Sequence, residues 1–220
     1  MKTKVFAILY FLTGLSYILI ENHSSFLTEV IIKGLIIPVL ILIFIVNLKP
    51  FKNLLTGLMF SGLLFSWAGD VVLQFTFVPG LVCFLIAQIM YLTAFQMTPG
   101  KNIILGRRYY LLIPVVLYGT GLVLLLYNDL GAMRIPVILY AVVILSMLGA
   151  AINRLGKVNK SSYYLVLAGA ILFLISDSAI AINKFTYKFE FSSIVIMLTY
   201  VTGQFLIITG FIRQIRGDFE

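Results

Sequence analysis

Tyr164–Ile182 reads YLVLAGAILFLISDSAIAI, nineteen residues with one charge, Asp177. As a helix rising about 1.5 Å per residue, such a run nearly spans the roughly 30 Å hydrocarbon layer of a bilayer. Seven further apolar runs accompany it: Lys4–Ile20, Val30–Val46, Leu54–Phe77, Leu81–Met97, Tyr110–Tyr127, Ile135–Ile152 and Phe191–Ile212. Of the 220 residues, 61% are hydrophobic and 11% charged, and the mean hydropathy is +1.09. A soluble domain carries about 25% charged residues, so a water-soluble globule is excluded. Eight crossings of about 20 residues use about 160 positions and leave only short loops. The expectation is an all-α membrane protein with eight transmembrane helices, one integral membrane domain over 1–220, in the cell membrane (the inner membrane if the host is bacterial). Lys2 and Lys4 precede the first run, as in a signal peptide, but no small-x-small site follows at Ile20-Glu21-Asn22-His23, so that run too is read as a spanning helix.

The net charge of +8 is distributed unevenly. Counting alternate loops, one side holds Lys2, Lys4, Lys49, Lys52, Lys101, Arg107, Arg108, Arg154, Lys157, Lys160, Arg213 and Arg216; the other holds Lys33, Arg134, Lys184 and Lys188. Cytoplasmic loops are enriched in Lys and Arg, so both termini are expected in the cytoplasm. The same distribution accounts for the positive charge without a nucleic-acid partner. The single Cys83 supports no disulfide framework, and with the single His23 it weighs against a zinc site or a Ser-His-Asp triad. There is no glycine-rich phosphate loop or dinucleotide fingerprint. No metal and no cofactor are expected. Trp67 and Cys83 read as packing residues and His23 as a loop residue.

Two stretches resemble each other: Gly62-Leu-Leu-Phe-Ser-Trp-Ala-Gly-Asp70 and Gly169-Ala-Ile-Leu-Phe-Leu-Ile-Ser-Asp177. Each has Gly eight positions before Asp and a small residue directly before it. Ile37-Pro38-Val39-Leu40 and Ile135-Pro136-Val137-Ile138 form a second pair. An offset of four helices keeps orientation, so the pattern reads as a parallel 4+4 repeat, although short matches between apolar sequences also arise by chance.

Lys33, Asp70 and Asp177 are the ionisable residues inside apolar runs. A charge at mid-bilayer costs about 2.5–3.5 kcal/mol on insertion scales and generally faces a bundle interior or wet cavity. Residue counting places all three about 5–10 Å from the midplane, towards the extracytoplasmic side. Other polar groups share this region. Ser66, Asp70 and Gln74 follow one face at i, i+4, i+8; Gln88 and Tyr91 lie at i, i+3; Tyr200 and Gln204 lie at i, i+4; Tyr140 falls near the depth of the acids. An inward polar pocket is expected from these side chains. Lys33 also admits simpler readings, as the counter-charge of one Asp or as a snorkelling lysine. The Tyr and Gln side chains admit a role as interhelical hydrogen-bond partners.

These residues resemble the YhhN family of integral membrane lysoplasmalogenases from about Lys33 to Gln204. The likeness rests on Lys33-Gly34-Leu35, Ser66-Trp67-Ala68-Gly69-Asp70, Tyr91-Leu92-Thr93-Ala94-Phe95, Pro136–Tyr140, Gly169–Asp177, and Tyr200 with Gln204. Two positions depart from the family pattern. Gly34 stands where Pro often follows the Lys, and Gln88 stands where a His is common, so no proton-handling role is carried to Gln88. The resemblance implies hydrolysis of the vinyl ether bond of a lysoplasmalogen, giving a fatty aldehyde and glycerophosphoethanolamine or glycerophosphocholine. It implies a lysophospholipid substrate among membrane lipids.

The residues suit that chemistry on their own terms. A vinyl ether is protonated at the alkene carbon remote from oxygen, water adds to the resulting oxocarbenium carbon, and the hemiacetal collapses to an aldehyde. One protonated carboxyl and one carboxylate can do this work. Two carboxyls in a poorly solvated pocket tend towards that division. Asp70 and Asp177 are the expected catalytic pair, with the choice of acid open. Lys33 would hold phosphate, and Ser66, Gln88, Tyr91, Tyr140, Tyr200 and Gln204 would line the substrate site. A proton-coupled transporter, a lipid-binding protein and a structural subunit remain alternatives, since embedded charges and helix prolines also occur in carriers. The sequence leaves the oligomeric state open.

Overall fold

The computed structural model describes residues 2–21, 23–48, 53–100 and 108–217. Its helices are α1 (Lys2–Ile20), α2 (Phe26–Leu48), α3 (Leu54–Val72), α4 (Phe77–Gln96), α5 (Ile113–Leu126), α6 (Arg134–Ile152), α7 (Lys160–Phe185) and α8 (Ser192–Arg216). Short 3₁₀ turns, Tyr109–Leu112 and Gly131–Met133, lead into α5 and α6. Among the described residues, eight helical segments are long and apolar enough to cross a membrane. α5 alone has 14 residues, about 21 Å of α-helix, and the 3₁₀ turn before it adds about 8 Å. Together they approach the thickness of a hydrocarbon core.

The expected third and fourth runs need correction. α3 stops at Val72 rather than Phe77, and α4 begins at Phe77 rather than Leu81. The amides of Phe75 and Thr76 both donate to the Val72 carbonyl, at 3.0 and 2.9 Å, turning the chain. Gly80 permits this reversal: a Cβ there would lie 2.7 Å from the Leu73 Cα. Pro79 sits in the first turn of α4, where its missing N–H costs no helix bond. Gln74 therefore lies in the turn just past the end of the helix. The run from Val71 to Phe77 is apolar enough to read as continuous helix, which hides the turn from sequence.

The chain divides into two compact units, Met1–Ala94 and Phe95–Glu220. In the first, α1 and α2 run antiparallel, with Thr3 Oγ1 donating to Asn47 Oδ1 at 3.4 Å. Tyr10, Gly14 and Tyr17 form the buried stripe of α1. On α3 the buried positions Thr56, Met59, Leu63, Ser66 and Asp70 follow the helical period, so Asp70 lies on the packed face. Asn53 caps this helix, its Oδ1 accepting from the Thr56 amide at 2.9 Å.

α2 contains Pro38 in its interior. Proline has no N–H to give the carbonyl four residues earlier, here that of Gly34. The indole N–H of Trp67 on α3 donates to that carbonyl at 2.8 Å. Within a bilayer a freed carbonyl needs such a partner. Trp67 is thus a cross-helix donor as well as a packing residue, and it fixes the segment after Lys33 against the segment before Asp70. Pro136 differs, standing in the first turn of α6.

In the second unit, α7 and α8 run antiparallel with their backbones in close approach. A Cβ on Gly169 would lie 2.6 Å from the Gly203 carbonyl oxygen, and one on Gly210 would lie 3.0 Å from the Ser162 carbonyl oxygen. Small residues permit this approach between membrane helices. Asn159 caps α7, accepting from the Ser162 amide at 2.7 Å. Arg154, expected among the loop charges, is instead fully buried. Its Nη2 donates to Ser162 Oγ at 2.9 Å and Gln214 Oε1 at 2.7 Å, and its guanidinium lies 5.3 Å from the Phe95 ring. It ties α6, α7 and α8 together, and burial lowers its pKa to about 10, which leaves it cationic near neutral pH. Of the other loop charges, Lys49, Lys52, Lys101 and Arg107 lie outside the described residues.

Candidate active site

Each acid sits beyond the middle of its own helix. Counting along α2, α3 and α7 places Lys33, Asp70 and Asp177 about 6, 10 and 7 Å from the helix midpoints. Asp70 is 2% exposed, whereas Lys33 and Asp177 are half-buried. Ser66, Gln88, Tyr91, Tyr140, Tyr200 and Gln204 are all buried. Because a buried polar group must be hydrogen-bonded or become costly, such a set on apolar helices marks a polar interior in each unit.

In the first unit, Lys33, Asp70 and Tyr91 converge. Lys33 interacts electrostatically with Asp70 and Glu21, and its Nζ lies 5.1 Å from the centre of the Tyr17 ring. Tyr10 interacts with Asp70 and with Tyr91. The Tyr91 ring packs directly on Gly62, the glycine two turns before Asp70, and a Cβ on Gly69 would lie 2.7 Å from the Phe84 ring. The small residues of the Asp70 stretch are therefore where α4 aromatics enter. Ser66 is one turn from Asp70 and Gln88 about one turn from Tyr91 on these same faces. The Tyr17 hydroxyl donates to Glu21 Oε1 at 3.3 Å, and Gln74 hydrogen-bonds the same hydroxyl.

Sequence reasoning missed Tyr10, Tyr17 and Glu21. The available signal was the i, i+7 spacing of two tyrosines on α1 with Gly14 between them, followed by an acid just past the helix end. Glu21 Oε2 is buried without a hydrogen-bond partner among the described residues. Burial pushes this carboxyl above its ordinary range, partly offset by Lys33.

In the second unit, the Tyr140 hydroxyl donates to Asp177 Oδ2 at 2.5 Å. The Ser176 hydroxyl donates to the Ile196 carbonyl at 3.0 Å, so here the small residue before the acid ties α7 to α8. The Tyr118 hydroxyl donates to Ser178 Oγ at 2.8 Å, and Ser178 donates in turn to the Leu174 carbonyl at 2.7 Å. A cavity of about 40 Å³ borders Tyr140, Asp177 and Ser178, with Gly119, Leu122, Ile144 and Leu174 among its apolar walls. It has room for a water molecule beside the carboxylate. Tyr200 packs edge-on against Phe173, one turn before Asp177, at a centroid distance of 5.8 Å. Gln204 follows Tyr200 on the buried face of α8. Among the described residues, no group of three or more His, Cys, Asp and Glu could hold a metal ion.

The YhhN family model matches residues 28–211, which include every candidate residue from Lys33 to Gln204. The chain belongs to the YhhN family. This YhhN member is similar to lysoplasmalogenase TMEM86A of Bos taurus, 37% identical over 155 residues that cover 67% of this chain and 62% of that protein. It is similar to lysoplasmalogenase TMEM86B of Homo sapiens, 29% identical over 161 residues covering 72% and 65%. Lysoplasmalogenase TMEM86A of Homo sapiens is 36% identical over 157 residues covering 67% and 62%. The matches thus span less than two thirds of the length of these curated relatives. No solved structure matches. Tyr10, Tyr17 and Glu21 precede the family match, although they pack with residues inside it.

Proposed function

We propose that this chain is a membrane hydrolase that cleaves the vinyl ether bond of a lysoplasmalogen, with Asp70 and Asp177 as its acid-base pair. Family membership and the names of its relatives support the substrate class. The observation that carries the residue assignment is the pair of separately supported carboxyls, Asp70 among Tyr10, Lys33 and Tyr91, and Asp177 bonded to Tyr140 beside a water-sized cavity.

A protonated carboxyl gives its proton to the alkene carbon remote from oxygen, leaving an oxocarbenium ion. The carboxylate stabilises that cation and takes a proton from the attacking water. The hemiacetal then breaks its C–O bond to the glycerol oxygen, releasing aldehyde and glycerophospho-alcohol. The proton gained by the substrate and the one lost by water balance over the cycle. Lys33 interacts electrostatically with Asp70 and would meet the lipid phosphate as a point charge. Ser66, Gln88, Tyr91, Tyr140, Tyr200 and Gln204 supply the polar lining. The loop-charge bias supports both termini in the cytoplasm, and the paired Gly–Asp stretches support descent from a 4+4 repeat within a single membrane domain.

The test is aldehyde release from a vinyl ether lysolipid by purified protein in micelles, with the saturated ether as control. Only the vinyl ether should react, because the saturated chain has no alkene carbon to protonate. Asp70→Asn and Asp177→Asn should each lose about 10²–10⁴-fold in kcat while remaining folded. Near-normal turnover in either variant removes the two-carboxyl mechanism. Intact lipid with transport only in sealed vesicles would replace the hydrolase by a carrier.

A further inference from the structure

A hydrolase of single-chain lipids must house the chain while its first carbons meet the acids. Beside the small cavity at Asp177, the second unit contains a larger one of about 410 Å³ between α5, α6 and α7. This is within the volume range of small-molecule sites. Along α7 its wall runs from Tyr163 through Leu167 and Ile171 to Ile175, about 18 Å at the helical rise. Apart from Tyr118 and Tyr163, every lining side chain is aliphatic.

The slot adjoins the Asp177 neighbourhood. Leu174 lines both cavities. Tyr118, which lines the slot, donates its hydroxyl to Ser178, which lines the Asp177 cavity. The slot therefore comes within about one helical turn of the acid at Leu174 and runs along α7 towards that helix's N-terminal end, in apolar surroundings that offer water few partners. A neighbouring cavity of about 460 Å³ carries Gln96, Ser146 and Asn153 in its lining and suits a hydrocarbon less well.

We propose that the α5–α6–α7 slot binds the hydrocarbon chain of a lysolipid, with Tyr118 and Leu174 forming the sill over which the chain's first carbons reach Asp177. The inference rests on the lysoplasmalogenase reading for the chemistry at Asp177, but not for occupancy of the slot. Leu167, about one turn from the Tyr163 end of the wall, sets the usable length.

Leu167→Trp should lower the ratio of kcat/KM for an octadecenyl over an octenyl lysoplasmalogen by about tenfold or more, as loss of apolar pocket contacts does. Val142→Trp, in the neighbouring cavity, should leave that ratio alone. An unchanged ratio in Leu167→Trp, or a changed one in Val142→Trp instead, overturns the slot. A second measurement needs no catalysis and no variant. A lysolipid with a tail diazirine, irradiated with the wild-type protein, should label residues 111–118 and 163–175, and excess unlabelled lysolipid should displace the label. No displaceable label there overturns the slot even if aldehyde is released. Displaceable label without aldehyde release keeps the slot and removes the hydrolase reading.

Discussion

Asp70 and Asp177 close two stretches built alike: glycine eight positions earlier, a small residue directly before, and a helix started by an asparagine cap. Their surroundings differ. Asp70 is almost fully buried and interacts with Lys33 and Tyr10. Asp177 is half-buried, takes one short bond from Tyr140 and borders a small cavity. The glycines differ as well. Gly62 receives an aromatic ring from α4, whereas Gly169 receives the backbone of α8. A shared local pattern thus puts an acid on the packed face in both units, while the partner helix decides what the acid meets.

The sharpest way to break the comparison is at the glycines. A methyl at Gly169 would lie 2.6 Å from a backbone oxygen and 2.8 Å from the Ile207 amide, and only separation of α7 and α8 relieves it. Gly169→Ala should cost about 1–3 kcal/mol, read as a lower unfolding temperature in detergent. Gly62→Ala should cost less stability and act instead by displacing Tyr91. If Gly62→Ala is the more destabilising of the two, the distinction between ring and backbone contacts fails.

Next is the bond specific to the second unit. Tyr140→Phe keeps the ring and removes the donor to Asp177, and a hydrogen bond to a charged group contributes about 1.5–3 kcal/mol. We expect kcat to fall at least about tenfold, together with a lower unfolding temperature. Wild-type kcat would show that Asp177 does not depend on Tyr140.

The bond specific to the first unit should matter less. Trp67→Phe leaves the Gly34 carbonyl without its indole donor, and interhelical hydrogen bonds in membranes average about 0.6 kcal/mol with a maximum near about 1.7. A loss in that range is expected in reversible unfolding. A double variant with Pro38→Ala should recover part of it, since alanine restores the amide that the carbonyl would otherwise use.

The smallest effect concerns Glu21. Burial raises this carboxyl in the folded protein above its ordinary value of 4.5. Folding is then favoured by protonation: stability rises as pH falls from neutral through the raised value and levels off below 4.5. Glu21→Gln should flatten that rise by well under about 1 kcal/mol, because the group is only partly buried. An unchanged pH profile in the variant would assign the dependence elsewhere.

Much of this was readable in the chain because a bilayer makes the local code strict. Every backbone polar group must be satisfied within the segment, so a long apolar run can only be a helix, and an ionisable residue within it stands out. The turn at Leu73–Thr76 escaped reading because Leu73 and Phe75 carry the apolar run across it and its cause, Gly80 against Leu73, is a contact rather than a composition. Tyr10 and Tyr17 escaped because tyrosines are unremarkable in a membrane helix until their neighbours are known. Arg154 looked like any loop arginine, and only the packing of three helix ends buries it.

The sequence by itself determined the solvent, the number of spanning segments and the identity of the three embedded charges, because transfer into hydrocarbon is governed by composition over one helix length. Tertiary structure alone decided which tyrosines meet which acid, that Trp67 repairs the proline gap at Gly34, and that a slot opens beside Asp177. Those outcomes depend on side chains from different helices converging, and a one-dimensional hydrophobic pattern fixes which face turns inward without fixing what it meets there.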